Sequence, residues 1–89
     1  MTNIVVYSKP NCQKCNIAKQ LLKQRNIEYT EVEFDIGQPR VANKTYVDVA
    51  EFKKQHPNAT SVPQFEVGGQ YLGGFEEFQE WVRTIPSNK

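Results

Sequence analysis

Ile4-Val5-Val6-Tyr7 is a run of β-branched and aromatic side chains with no polar alternation. A strand that offers water neither face belongs in a sheet covered by helices on both sides, as parallel sheets are. A parallel partner needs a crossover, and the chain supplies one at once. Ser8-Lys9-Pro10-Asn11 is turn chemistry. From Cys12 a helical pattern begins, with Ile17, Ala18, Leu21 and Leu22 on one apolar face and Lys14, Lys19, Gln20, Lys23 and Gln24 elsewhere. Arg25-Asn26 suits a helix end, where a cation meets the dipole and Asn tolerates a left-handed cap. Glu28 to Phe34 then alternates, with Tyr29, Val32 and Phe34 as its apolar members, and reads as a second strand. A right-handed crossover with parallel strands is the expected geometry.

After the break at Asp35-Ile36-Gly37-Gln38-Pro39, a second helix is predicted from Ala42 or Asn43 to Gln55. Its inward face would be Tyr46, Val49, Ala50 and Phe52. His56-Pro57-Asn58 stops it, because Pro57 disfavours helical geometry at His56. Gln64 to Val67 is a third strand, Gly68-Gly69 a hairpin turn, and Gln70 to Leu72 a short fourth strand. Gly73-Gly74 is a further turn. Phe75, Phe78, Trp81 and Val82 give a last amphipathic helix ending before Pro86, with Glu76 and Glu77 in the first turn to complement its dipole. The order is β-α-β-α-β-β-α, an α/β pattern with no repeat and no linker. Phe78 and Trp81 read as core, Lys53-Lys54 as a solvated face, and His56 as a helix-end cation.

With 89 residues and 10.3 kDa, residues 1–89 make one domain. A chain of this size buries roughly two-thirds of its surface, enough for one small core. Mean hydropathy is −0.65, yet ten aromatic residues, the sum of one Trp, four Tyr and five Phe, argue against disorder. Eleven basic against ten acidic residues give a net charge of +1, so no bulk field steers the chain to nucleic acid or an anionic membrane. The longest apolar run is far short of the roughly 20 residues a membrane span needs. Met1-Thr2-Asn3 runs straight into the first strand without a leader pattern, and a cytoplasmic location is expected. There the two cysteines are expected to be reduced or to cycle.

Those cysteines carry the strongest chemical signal. Cys12-Gln13-Lys14-Cys15 lies at a strand-to-helix junction inside a β-α-β unit, the context in which a CxxC reads as a redox pair. Cys12 falls at the first helical turn, where unpaired backbone N–H groups and the positive dipole end favour its thiolate. Cys15 lies one turn on, within reach of a disulfide, and Lys9 and Lys14 add positive charge. A thiol of pKa about 8.5 is about 3% ionised at pH 7, and full ionisation at a pKa near 5 gains roughly thirty-fold. A Brønsted slope of about 0.4–0.5 takes back a similar factor in nucleophilicity, so the main gain is as a leaving group. The arrangement suits reversible exchange. A static disulfide, half a zinc site and two plain core cysteines, which the polar turn with Lys and Asn disfavours, are the other readings of the pair. Zinc wants four ligands, and the only histidine is His56, with no second CxxC; no metal ligand is assigned.

Two further segments are ambiguous taken singly. In Thr60-Ser61-Val62-Pro63-Gln64 the proline sits at a strand start, where it needs no N–H. Gly73-Gly74-Phe75-Glu76 is a tight turn opening a helix, or an anion site where glycine lets a ligand approach the exposed N–H groups.

Taken together, Lys9-Pro10-Asn11-Cys12-Gln13-Lys14-Cys15, Thr60-Ser61-Val62-Pro63 and Gly73-Gly74-Phe75-Glu76, in this order on this pattern, resemble the glutaredoxin family over about residues 3–83. The resemblance implies a thioredoxin fold with a four-stranded mixed sheet in order 2-1-3-4 flanked by three helices. It implies Cys12 as attacking and Cys15 as resolving cysteine. It makes Val62-Pro63 a cis peptide, turning the Val62 backbone toward the active-site sulfur to pair with a substrate's cysteinyl backbone as an added strand. Lys9 matches the lysine facing the glycyl carboxylate of glutathione. Gly74 and Phe75 match the N–H groups that hold its γ-glutamyl carboxylate, and Glu76 stands near its α-amino group. Gln13, Lys14, Ser61 and Pro63 complete the implied glutathione-binding set.

Two departures bear on affinity and potential. Gln13-Lys14 replaces the Pro-Tyr usual between the cysteines of dithiol members. A second-helix Gln or Arg that shares the glycyl carboxylate falls by ungapped count on Ala50, leaving that contact absent or supplied by Lys53 or Lys54. The implied function is a glutathione-dependent thiol–disulfide oxidoreductase with no tightly bound cofactor, glutathione as reductant, and disulfide-containing client proteins, ribonucleotide reductase among them. It is expected to act as a monomer. The alternatives are a redoxin supplied by thioredoxin reductase and a [2Fe–2S] carrier bridging two copies, which bulky Gln13 disfavours.

Overall fold

The computed structural model describes residues 3–42, 44–57, 59 and 61–84. Asn43, Asn58, Thr60 and Pro86, which figure in the reading above, lie outside the described residues. The elements run β1 (Ile4–Ser8), α1 (Gln13–Gln24), β2 (Tyr29–Asp35), β3 (Thr45–Asp48), α2 (Val49–Gln55), β4 (Gln64–Val67), β5 (Gln70–Gly73) and α3 (Phe75–Thr84). They form one mixed sheet in the order β3-β2-β1-β4-β5, with β1 parallel to β2 and antiparallel to β4.

The sheet has five strands where four are predicted. Within it, β2-β1-β4-β5 is the expected 2-1-3-4 arrangement, and the extra strand pairs in parallel with the outer edge of β2. That strand occupies the first half of the segment predicted as a helix from Ala42 or Asn43. Thr45-Tyr46-Val47 is β-branched and aromatic, and the open edge of β2 gives it a ladder to join. Asp48 then starts α2, its Oδ1 accepting the Ala50 N–H at 3.2 Å. Of the predicted inward face, Phe52 is buried and Val49 half-buried, Ala50 is exposed, and Tyr46 belongs to β3.

Alternation along the strands sorts the side chains onto two faces. Ile4, Val6 and Phe65 meet Ala18 and Leu22 of α1 and Phe78 and Val82 of α3 in the larger core, where the Phe65 and Phe78 rings stack at 4.2 Å. On the opposite face Phe34, Phe52 and Ala59 form a smaller cluster under Tyr7, Val47, Val49 and Val62. Ile17, predicted on the buried face of α1, is 39% exposed, because the helix turns only Cys15, Ala18 and Leu22 fully inward. Asn26 takes φ +58° just after α1, as the left-handed cap requires. Gly68 and Gly69 both have positive φ, which lets a two-residue loop close β4 onto β5 without splaying them.

The register positions the site. Tyr7 pairs with Gln64, so the end of β1 lies beside the start of β4. The loop leading to Cys12 and the loop carrying Val62-Pro63 therefore emerge at the same edge of the sheet. No described helix is long and apolar enough to cross a membrane.

Candidate active site

Cys12 is the N-cap of α1, with extended backbone angles of φ −109° and ψ 108°. Its Sγ accepts the Cys15 N–H at 3.2 Å, taking the place a capping hydroxyl usually fills. Asn11, at φ +58°, makes the left-handed turn that brings the chain into this position. The two cysteines are joined as a disulfide with Cα atoms 5.2 Å apart. Cys12 is 8% exposed and Cys15 1%, so an incoming thiol meets Cys12 first.

The junction is pinned from below. Ser8, fully buried at the end of β1, donates to Glu31 Oε2 at 2.9 Å, and Lys19 of α1 donates to the same oxygen at 2.9 Å. Burial alone would raise the Glu31 carboxyl, but the Lys19 and Ser8 hydrogen bonds and the Lys19 and Lys44 charges together hold it below its ordinary range. Glu33, on the same face, is held down first by a Lys44 hydrogen bond at 2.6 Å and then by Gln38, against the cost of burial.

Between Lys9, in the loop that leads to Cys12, and Ser61-Val62, in the cis-proline loop, lies a groove of about 330 Å³. Phe34, Phe52 and Val49 make its apolar floor, Ser61, Val62 and Gln64 one side, and Lys9 and Lys53 supply two ammonium groups. Lys53, one of the two lysines named above for a second cation, lines this groove; Ala50 and Lys54 do not. The Val62-Pro63 peptide is cis and Pro63 is fully buried.

The remaining candidates cluster at the α3 start, outside that groove. Lys14 lies over the Phe75 ring, 5.9 Å from its centroid, tying the segment between the cysteines to Gly74-Phe75. Gln13 is exposed. The Gly74 N–H already has a partner: it donates to Glu77 Oε1 at 2.8 Å, the reciprocal half of a capping box. At Gly73, φ +133° and a Cβ that would fall 2.7 Å from Glu77 Cγ exclude any other residue while Glu77 folds back this way. Glu76 is exposed on a separate recess with Glu77, Glu80 and Trp81. The structure therefore gathers Lys9, Ser61 and Val62 in one groove, sets Lys14 against Phe75 at the α3 start, and leaves Glu76 on a separate recess.

Sequence reasoning missed two residues here. Glu77 stands three residues after the N-cap as in a capping box, but with Gly74 in place of the usual Ser or Thr the sequence shows only a first-turn acid. Gln64, 3% exposed, is a polar side chain at a strand start; nothing in the sequence marks it as buried. His56, read as a helix-end cation, follows α2 with its N–H on the Phe52 carbonyl, and its ring stacks on Tyr71 at 4.1 Å.

Residues 4–72 match the glutaredoxin family model. Glutaredoxin of Pseudomonas aeruginosa is 30% identical over 84 residues, covering 94% of this chain and 89% of that protein. Glutaredoxin 1 of Rickettsia prowazekii is 30% identical over 74 residues, covering 83% of this chain and 70% of that protein. The crystal structure of glutaredoxin 1 from Francisella tularensis complexed with cacodylate superposes with a TM-score of 0.66 at 21% identity, covering 96% of each chain, which bears on the fold alone. A disulfide-forming CxxC at a helix N-cap, on this sheet and within this family match, is a thiol–disulfide exchange centre, and the chain belongs to the glutaredoxin family.

Proposed function

We propose that this protein is a glutathione-dependent oxidoreductase acting on protein disulfides and on mixed disulfides between proteins and glutathione. The Cys12 thiolate attacks the glutathione sulfur of a mixed disulfide, and the client leaves as a thiolate that takes up a proton. Cys12 then carries glutathione through a new S–S bond. A second glutathione thiolate attacks the glutathione sulfur of that bond, giving oxidised glutathione and free Cys12. Alternatively Cys15 attacks the Cys12 sulfur, expelling glutathione and leaving the Cys12–Cys15 disulfide.

The observation that carries this reading is the groove between the loop that leads to Cys12 and the cis-proline loop, with Lys9 and Lys53 as its cations and Ser61-Val62 in its lining. Two ammonium groups suit the glycyl carboxylate, and the Val62 backbone, held before a cis proline, suits a cysteinyl backbone laid beside it. The γ-glutamyl carboxylate falls to the α3 start, where Phe75 offers an N–H and Lys14 a charge. The exchange runs in a cytoplasmic monomer with disulfide-containing clients, ribonucleotide reductase being the one the family resemblance suggests.

One observation favours a second electron source. Because Glu77 holds the Gly74 N–H, a γ-glutamyl carboxylate must displace an internal carboxylate to use that donor. That favours a redoxin fed by thioredoxin reductase. NADPH consumption on a glutathione mixed-disulfide substrate separates the two. Turnover with glutathione plus glutathione reductase is the expected result. Turnover only with thioredoxin reductase would replace the first reading by the second.

A further inference from the structure

Gln64 is 3% exposed, and both ends of its amide are used. Its Nε2 donates to the Ser61 carbonyl at 2.7 Å, and its Oε1 accepts from the Tyr71 hydroxyl. The polarity of this chain of bonds is forced. A carbonyl only accepts, so the NH2 end must face Ser61 and the oxygen is left for Tyr71. A phenol with an ordinary pKa of about 10 is a donor at neutral pH, and burial first, then the Glu77 charge, push that of Tyr71 higher still.

The Ser61 carbonyl and the Val62 N–H belong to one peptide unit. That unit is planar, and in its trans form the two groups point in opposite directions. A hydrogen bond that fixes the carbonyl therefore also fixes the direction of the N–H. The same amide sits close to the α3 start: a Cβ at Gly74 would lie 3.5 Å from Gln64 Nε2 and 3.7 Å from Ser61 Oγ. Gln64 thus joins β5 to the cis-proline loop, next to the α3 turn, in the groove it helps to line.

We infer that Gln64, oriented by Tyr71, is a positioning residue for disulfide exchange: it aims the Val62 N–H at the backbone of the incoming cysteinyl residue. This rests on the Val62 pairing proposed above, but not on glutathione as the thiol. The test therefore uses a cysteinyl peptide disulfide as substrate with dithiothreitol as reductant. Gln64→Met keeps the volume and removes both hydrogen bonds; Tyr71→Phe leaves the amide in place and removes only its orienting donor. Losing one neutral hydrogen bond predicts a KM raised roughly fivefold in Gln64→Met, with kcat within about twofold. Tyr71→Phe should shift KM in the same direction by less. The reactivity of Cys12 toward iodoacetamide against pH should stay that of wild type in both, which separates aiming from a general loosening of the site. In the amide spectrum the Val62 N–H resonance should move in both variants. An unchanged KM with an unmoved Val62 resonance overturns the inference, as does a loss carried equally by kcat. If Gln64→Met fails to fold, Tyr71→Phe decides by the same two readouts. Wild-type failure on glutathione substrates would sink the proposed function separately, because the peptide assay does not depend on it.

Discussion

Cys12 uses one sulfur for two purposes: it caps α1 through the Cys15 N–H and is the more exposed half of the disulfide. A helix N-terminus carries about half a positive charge, which favours the thiolate at the N-cap over the one buried behind it. Replacing Cys12 by Ser should therefore abolish exchange on every substrate, although serine remains a good N-cap and the fold should melt near wild type. Cys15→Ser should retain removal of glutathione from proteins and lose reduction of intramolecular protein disulfides. Parallel turnover on the two substrate types checks both. At the same scale, Glu31 and Glu33 have folded-state carboxyls below their ordinary range. The unfolded chain then binds more protons at mildly acid pH, so the stability these groups contribute is present above the ordinary glutamate pKa of about 4.3 and is lost as pH falls through the lower folded values. Thermal melts from pH 7 to pH 3 should show this loss in wild type and a shallower one in Lys44→Met, which removes the first cause of the Glu33 shift. Cys12, Lys9 and Val62 were legible in the sequence because turn chemistry and the family pattern mark them. Gln64 was not, because its burial is set by Tyr71 and Ser61, which only the fold brings to it.

Among the elements, the segment 45–55 separates what local pattern decides from what it does not. Tyr46, Val49 and Ala50 fit a helical spacing, while Thr45-Tyr46-Val47 fits a strand. The tie is broken by β2, which already pairs with β1 on one side and has its other edge open; no local propensity reveals that. Once residues 45–48 join the sheet, the seven-residue α2 is too short to stand by its own hydrogen bonds and depends on its cap and on Phe52. Asp48→Ala should cost about 0.5–2 kcal/mol by denaturant unfolding, with the slope unchanged. A zero effect would mean that packing of Phe52 alone holds the helix. The β4-β5 hairpin, by contrast, was legible to the residue at its turn, since Gly68-Gly69 supplies the two positive φ values that the loop needs.

For the whole molecule, the sheet divides two apolar clusters of unequal size. The larger, around Phe65 and Phe78, ties α1 and α3 to the central strands; the smaller, around Phe34 and Phe52, carries α2 and floors the groove. Phe78→Ala should cost about 3–5 kcal/mol, a large part of the roughly 5–15 kcal/mol that holds a domain folded. Circular dichroism against denaturant should show a single transition moved to lower midpoint, because both clusters share the same strands. The exchange chemistry sits where these parts meet: the α1 cap, the loop into β4 and the rim of the smaller cluster share one sheet edge. The most direct measurement on that arrangement is mass spectrometry of Cys15→Ser after incubation with oxidised glutathione, followed by proteolytic mapping. One glutathione attached at Cys12, removed again by free glutathione, is the predicted result. No adduct at Cys12, under conditions in which a small alkylating thiol reagent does label it, would contradict glutathione as the partner of this site.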